Sequence, residues 1–436
     1  MKKPELLSPA GSLKHMEYAF AYGADAVYAG QPRYSLRVRN NSFTLDRLAE
    51  GINRAHELDK KLFVVSNVIP HNSKVKTFVK DIEPVIELKP DALIMADPGL
   101  ILLVKERWPD IDIHLSVQAN AVNWASVKFW QQAGISRVIL SRELSLDEIE
   151  EIRQKCPDIE LEVFVHGALC IAYSGRCLLS GYINKRDPNQ GSCTNACRWK
   201  YQAHEAKETA SGDIIPVVQP TLGEGAPTDE MFLLQDPGRP ENLMPAFEDE
   251  HGTYIMNSRD LRAVQHVYRL AKMGIDCLKI EGRTKSHYYV ARTAQVYRKA
   301  IDDAVAGKEF DMSLMDSLEG MANRGFTEGF YRRHVHDEYQ NYEQGVSIST
   351  QQQFVGEIFV DESDENTLVI NVKNHFRAGD TVELMSPEGN IRYKLEEILD
   401  KHGNNTGVAP GSGHIVRIPN PGIKLTDKVL MMRDLT

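Results

Sequence analysis

Between residue 4 and about residue 305, short apolar runs rich in β-branched residues alternate with longer segments whose apolar positions recur at helical spacing. That is the pattern of βα units around a parallel sheet. Eight runs read as strands: Glu5 to Ser8, Ala26 to Ala29, Lys61 to Asn67, Ala92 to Met95, Asp112 to Ser116, Arg137 to Ser141, Leu161 to His166 and Cys277 to Glu281. Helices are expected near Leu13 to Tyr22, Leu45 to Leu58, Lys74 to Leu88, Trp124 to Ala133 and Leu261 to Met273. Asp97 ahead of Pro98 reads as an N-cap, and Ser145 with Glu148 as a capping box. Eight such repeats close naturally into a (β/α)8 TIM-like barrel, with an open doubly wound sheet as the competitor. Polar residues gather where the strands end: Ser8, Tyr28, Asn67, Asp97, Gln118 with Asn120, Arg142 with Glu143, His166, and Glu281 with Arg283. Barrel active sites occupy that face, which favours closure.

The connection between the seventh and eighth strands, Gly167 to Asp276, is far longer than a barrel loop. Residues 167 to 201 hold a cysteine cluster; residues 202 to 250, rich in Pro, Gly, Asp and Glu, read as an excursion or partly mobile flap. Residues 300 to 345 read as a charged helical connection. After about Thr350 the pattern changes to short alternating segments broken by Gly-Asp, Pro-Glu-Gly and Asn-Pro-Gly turns, a small antiparallel β-barrel or sandwich. The expected division is a catalytic barrel over residues 1–345, with its cysteine-bearing loop and insertion at 167–250, and a C-terminal β-barrel domain over 350–436.

A chain of 436 residues with 42% hydrophobic and 26% charged residues has ample material for a core, which sets aside disordered and collagen-like readings. The net charge of −10 argues against coating nucleic acid by bulk charge but leaves room for a local basic face. No apolar run approaches the ~20 residues of a membrane helix, and the opening Met1-Lys2-Lys3-Pro4 leads into a strand and not a signal-peptide core. The expectation is a soluble cytoplasmic protein with no membrane partner. Six cysteines are too few for a disulfide scaffold, and four of them, Cys170, Cys177, Cys193 and Cys197, fall within 28 residues.

Four clustered thiolates suit either a tetrahedral zinc or an iron–sulfur cluster. Neither end of the cluster has the close Cys-x2-Cys knuckle usual for structural zinc, which favours [4Fe-4S]. Cys156 and Cys277 stand apart, at the barrel's opposite end, and read as inert core thiols. Cations crowd the strand-end face: Arg33, Arg37 and Arg39; Arg176, Lys185, Arg186, Arg198 and Lys200; Arg283 and Lys285. Tyr34, Phe43, Tyr173, Tyr182, Trp199 and Tyr201 interleave them, so rings would stack bases while cations hold phosphates of single-stranded RNA. The sequence holds no His-Glu-x-x-His, Gly-x-Ser-x-Gly, P-loop, Gly-x-Gly-x-x-Gly or radical-type cysteine triplet. His166 and Glu162 lie two pleats apart on a strand, too far for a hydrolytic pair, so His166 reads better as a donor beside a metal's ligands.

The run from Glu162 to Cys177, EVFVHGALCIAYSGRC, resembles the signature of peptidase family U-32, the collagenase-like proteins. Glu5 to Gly11, Gly23 to Tyr28 and Leu278 to Arg283 match the same family. Gly30 to Arg37, Gly181 to Gln190 and Cys193 to Trp199 are more similar to one bacterial branch, whose members hydroxylate the wobble uridine of tRNA to 5-hydroxyuridine with prephenate. The resemblance implies an iron–sulfur enzyme with Cys170, Cys177, Cys193 and Cys197 as ligands, supplied by the iron–sulfur assembly machinery, acting on tRNA without drawing oxygen from O2. Cys193 and Cys197 have only three residues between them, where some relatives have a more distant fourth ligand, so Cys197 is the point of departure from the pattern. If prephenate is the co-substrate, strand-end position makes Arg142 and Arg283 the candidates to grip its two carboxylates, with Asn120, Gln118 and His166 orienting the remainder. Arg33, Arg37, Arg39, Lys185, Arg186, Arg198, Trp199 and Lys285 are the candidate RNA contacts. A peptidase is the runner-up, and a zinc-containing RNA-binding module a further alternative.

Overall fold

The computed structural model describes residues 1–31, 33–36, 42–169, 259–321, 325–332, 351–426 and 428–435, and the backbone of five strands between residues 206 and 254. Seven parallel strands come first: β1 (Glu5–Ala10), β2 (Ala26–Gly30), β3 (Lys61–Ser66), β4 (Ala92–Met95), β5 (Ile113–Leu115), β6 (Arg137–Ile139) and β7 (Glu160–Ala168). The insertion holds β8 (Ala206–Glu208) paired antiparallel with β9 (Ile214–Pro216), and a second antiparallel sheet of β10 (Met231–Asp236), β11 (Arg239–Asp249) and β12 (Gly252–Tyr254). After it come β13 (Asp260–Arg262), β14 (Cys277–Ile280) and β15 (Phe326–Thr327). β14 pairs with β1, Glu5 opposite Cys277, and also with β7, Cys277 opposite Glu162. The sheet is therefore closed, and the doubly wound alternative falls. Burial on both faces explains why these strands read as nearly continuous apolar runs; all five residues of β2 are buried.

The helices between them are α1 (Leu13–Ala21), α2 (Leu45–Glu57), α3 (Asn72–Glu87), α4 (Pro98–Arg107), α5 (Trp124–Gln132) and α6 (Leu146–Lys155). They begin where the caps predict: Asp97 Oδ1 accepts from the Leu100 N–H at 2.9 Å, and Ser145 and Glu148 form the reciprocal capping box. The segment Leu261 to Met273 departs from expectation. Its start is β13, antiparallel to β7 with Arg262 opposite His166, and only α7 (Val267–Lys272) is α-helical. A backbone beside the open edge of β7 completes the ladder there, a non-local demand that outweighs helical periodicity. The charged connection begins earlier than expected, as α8 (His287–Val305), followed by α9 (Ser313–Glu319). β1 also runs past Ser8 to Ala10, so Ser8 lies inside the strand and is fully buried.

Beyond residue 350 the chain forms β16 (Gln352–Ile358), β17 (Thr367–Val372), β18 (Phe376–Arg377), β19 (Thr381–Ser386), β20 (Gly389–Lys394), β21 (Val408–Ala409), β22 (Ile415–Pro419) and β23 (Leu430–Asp434). Six of these make one antiparallel sheet in the order β20-β19-β23-β16-β17-β22. Side chains from both flanks, Val382 and Leu384 on β19 with Leu368, Ile370 and Val416 on β17 and β22, share one apolar core. This domain is fastened to α1 and α8. Tyr22 Oη donates to the carbonyls of Met385 and Lys428, Arg292 makes two bonds to Glu383, and Met385, Leu430 and Met432 join the barrel's own core. Among the described residues no helix is long and apolar enough to cross a membrane.

Candidate active site

All eight barrel strands deliver their C-terminal ends to one rim, so the residues that follow them meet there whatever their separation in sequence. Arg283, just after β14, donates from Nη1 to Ser35 Oγ at 2.7 Å and from Nη2 to the Leu36 carbonyl at 2.9 Å, with its guanidinium 5.6 Å over the Tyr28 ring. The Leu36 N–H donates to Asn67 Oδ1 at 3.1 Å, and Asn67 Nδ2 donates onward to Ser116 Oγ at 3.1 Å and Gln118 Oε1 at 3.0 Å. One chain of hydrogen bonds thus ties together the loops after β14 and β2 and the ends of β3 and β5. Gly30 makes the crossing fit, because a Cβ there would overlap Ser35 Oγ.

Across the rim, Asn120 follows a 3-10 turn at Val117–Ala119 with a left-handed φ of 52°, and Ser141 Oγ donates to its Oδ1 at 3.3 Å. Next to it Arg142 lies 3.8 Å over the face of Phe164, its Nη2 3.4 Å from Glu281 Oε2; both charged side chains are only 12% exposed. A planar cation held by a ring on its face and a carboxylate at its edge has one orientation available, and the remaining N–H donors of the fork keep that geometry. Gln31 Nε2, Ser66 Oγ and Glu143 Oε2, at the ends of β2, β3 and β6, are buried polar atoms with no hydrogen-bond partner among the described residues. Such atoms cost about 1–3 kcal/mol each unless served by solvent or a ligand, and these three lie at the strand-end rim.

His166 is not with this group. It lies within β7, 1% exposed, with ring centroids of Tyr289, Tyr297 and Phe326 at 5.5 to 5.7 Å and Tyr297 Oη 3.4 Å from its Nδ1. The ladder with β14 slips in register between Lys279 and Ile280, and this irregularity breaks the alternation that Glu162 and Phe164 follow. The imidazole accordingly packs against α8. Burial pushes its pKa down to about 3, which keeps it neutral at physiological pH. Its Nε2 has no partner among the described residues.

Two of the candidate RNA contacts are described and are paired within the protein. Arg33 lies 2.7 Å from Asp81 and donates to Thr77 Oγ1 at 3.2 Å while remaining 57% exposed. Lys285 sits 4.0 Å from Asp260 and 5.5 Å over Tyr289. Tyr34 and Phe43 are fully buried, which removes both as base-stacking rings; Tyr34 Oη instead donates to Asp81 Oδ2 at 2.5 Å. Cys170, Cys177, Cys193 and Cys197 lie outside the described residues, as do Arg37, Arg39, Arg176, Lys185, Arg186, Arg198, Trp199, Lys200, Tyr173, Tyr182 and Tyr201. Cys156 and Cys277 are buried, and burial raises the pKa of each thiol, as befits inert core residues. The opposite half of the barrel holds a network missed in the sequence: buried Arg137 meets Glu5, Glu160 and Glu162, and Glu162 also meets Lys279 at 2.7 Å. Its members come from four strands, and no local pattern announces it.

The chain matches the model of peptidase family U32 over residues 11–341 and that family's C-terminal domain over residues 350–433. It is 64% identical to tRNA hydroxylation protein P of Escherichia coli (strain K12), an alignment covering 100% of this chain and 98% of that protein. The protein of the same name from Haemophilus influenzae is also 64% identical, over 99% of this chain and 96% of its own. tRNA hydroxylation protein P1 of Bacillus subtilis (strain 168) is 34% identical over 95% and 92%. With the barrel and the C-terminal sheet both inside these matches, the chain belongs to peptidase family U32.

Proposed function

We propose that this protein is a tRNA hydroxylase that converts wobble uridine to 5-hydroxyuridine, the first step towards 5-oxyacetyl-type uridines, with prephenate as co-substrate and without O2 as the oxygen source. The observation that carries the reading is the 64% identity, end to end, to proteins named for tRNA hydroxylation. The donor set of Cys170, Cys177, Cys193 and Cys197 fits an iron–sulfur cluster: four soft thiolates on the segment that leaves β7 at the rim, where Leu169 is the last described residue. When bound, such a cluster supplies one-electron redox chemistry.

The rim residues take the remaining parts. Reaction at uridine C5 requires the base out of its stack and set into a pocket at the strand ends. Arg142, pre-oriented by Phe164 and Glu281, presents the fork of its guanidinium to a carboxylate of prephenate. Arg283 commits Nη1 and Nη2 to Ser35 and Leu36, so its part is to hold the loop after β2 across the mouth. Asn120 and Gln118 orient the rest of the co-substrate from the end of β5, and neutral His166 fixes β7 against α8 at the root of the cysteine-bearing segment. Proteolysis has less support. Ser12 Oγ meets His15 Nδ1 at 2.6 Å, but that oxygen caps α1 by accepting the His15 N–H, and the other ring nitrogen is engaged by the Lys285 carbonyl.

Nucleoside analysis of tRNA from cells with and without the gene tests the proposal. Loss of 5-hydroxyuridine and its alkylated derivatives in the deletion, restored by the wild-type gene, is expected; an unchanged nucleoside profile refutes it.

A further inference from the structure

We infer that the mouth-side half of α3 is the surface along which the tRNA backbone lies, with Lys76 and Lys80 as its phosphate contacts and Arg33 at its edge. The inference rests on the reading of tRNA as the substrate. α3 begins five residues after Asn67, the rim residue that ties the loop after β2 to β5, and Arg33 from that loop reaches Thr77 and Asp81 on the helix. The helix therefore forms one bank of the mouth. Residues 71–80 carry Lys74, Lys76 and Lys80 and no acidic residue; the acids of α3, Asp81, Glu83 and Glu87, come after them, and Asp81 is already met by Arg33 and Tyr34. Lys76 and Lys80 are exposed, one turn apart, and make no ion pair with any described residue.

Helix stability does not explain this arrangement. The N-terminal half of a helix is its positive end, where cations are unfavourable and acids favourable. α2 and α6 carry such acids, Asp46 and Asp147 with Glu148; α3, like α1, α4, α5 and α8, has none in its first turn, and it places Lys74, Lys76 and Lys80 in its N-terminal half instead. A polyanion explains it directly. A body of net charge −10 does not attract RNA by bulk charge, so binding needs a local cationic face beside the reaction site. Across the barrel, three units away, the mouth-side half of α6 carries no cation of its own, and its Asp147 and Glu150 are met by Arg269, so the cationic bank is that of α3.

The test compares three full-length double variants: Lys76→Glu/Lys80→Glu, Lys76→Gln/Lys80→Gln, and Lys155→Glu/Lys272→Glu, the last in the final turns of α6 and α7 on the floor side. tRNA binding is measured from 50 to 300 mM salt, together with hydroxylation kinetics at varied tRNA. For the Glu pair on α3 the dissociation constant and KM for tRNA should rise about tenfold or more, and the slope of log K against log salt should shrink by about 1 to 2. Its kcat at saturating tRNA should stay within twofold, the Gln pair should show a smaller loss of the same kind, and the floor-side pair should match wild type. Wild-type affinity and slope in both α3 variants, or an equal loss in the floor-side pair, would overturn the inference while leaving tRNA as substrate. Wild-type protein that neither binds nor hydroxylates tRNA would overturn the substrate reading, and this inference with it.

Discussion

Replacing Arg142 by alanine removes the guanidinium that lies 3.8 Å over Phe164 and 3.4 Å from Glu281. At that separation and an effective dielectric of 20, the pair attracts by about 5 kcal/mol before desolvation is counted. Desolvation of two nearly buried charges cancels much of this, so the loss of stability should be about 1–3 kcal/mol, most of it from the carboxylate left without its cation. The effect on catalysis should be larger. If the fork of Arg142 makes two charge-assisted hydrogen bonds to a carboxylate of prephenate, losing them removes about 3–5 kcal/mol, a fall in kcat/KM for prephenate of about a hundredfold to a few thousandfold. The double variant Arg142→Ala/Glu281→Gln separates the two roles, since it relieves the stranded charge without restoring the fork. The assay is hydroxylation of tRNA at varied prephenate and matched iron content, with thermal unfolding in parallel. The double variant should regain stability and remain inactive. Recovery of activity together with stability would mean that Arg142 serves only as the counter-charge of Glu281, and kcat/KM within threefold of wild type for Arg142→Ala would remove it from the site.

Serine at any one of Cys170, Cys177, Cys193 or Cys197 should abolish bound iron and its visible absorbance, whereas Cys156→Ser should keep both; full iron in Cys197→Ser would place the fourth ligand elsewhere. Gly167 has φ +105°, and a Cβ there would overlap the Glu281 carbonyl, so Gly167→Ala should cost about 1–3 kcal/mol from backbone strain alone and lower the unfolding midpoint by several degrees. An unchanged midpoint would contradict that close approach. Glu357 is held at a pKa of about 2: burial opposes its charge, but His287 and Lys14, each at 2.7 Å, more than offset burial. Because this lies below the unfolded value near 4.3, the stabilisation is complete above about pH 4.3 and fades as pH falls from there towards 2. The gap in unfolding temperature between wild type and Glu357→Gln should therefore narrow between pH 5 and 3, and a constant gap would dissociate Glu357 from the acid response.

The barrel was legible because its determinants are local. Apolar runs, the Asp97 cap and the Ser145–Glu148 box each speak for a few residues, and eight repeats leave few ways to arrange them. Where the reading failed, the deciding partner was distant. Leu261 became strand because β7 offered an unpaired edge, and Tyr34 looked available for stacking because nothing near it in sequence reveals Asp81, 47 residues away. The same limit governs the site. Strand-end position placed Arg142, Asn120 and Arg283 on one rim, but the bond from Arg283 to Ser35 spans 248 residues, and only closure of the sheet makes it visible. His166 was drawn to the rim by the period of two, and the register slip in β7 that turns it towards α8 has no signature in composition.

The fastening of the C-terminal sheet to α1 and α8 has a bearing on biogenesis. α1 and α8 flank β1 and β14, the first and last barrel strands, and their outer surface is covered by Met385, Leu430 and Met432. Ribosomes deliver these three side chains last, roughly 10–30 s after β14 has emerged. For that interval the nascent barrel carries a bare greasy flank beside its join, a natural landing place for chaperones and the point at which a prematurely terminated polypeptide would aggregate.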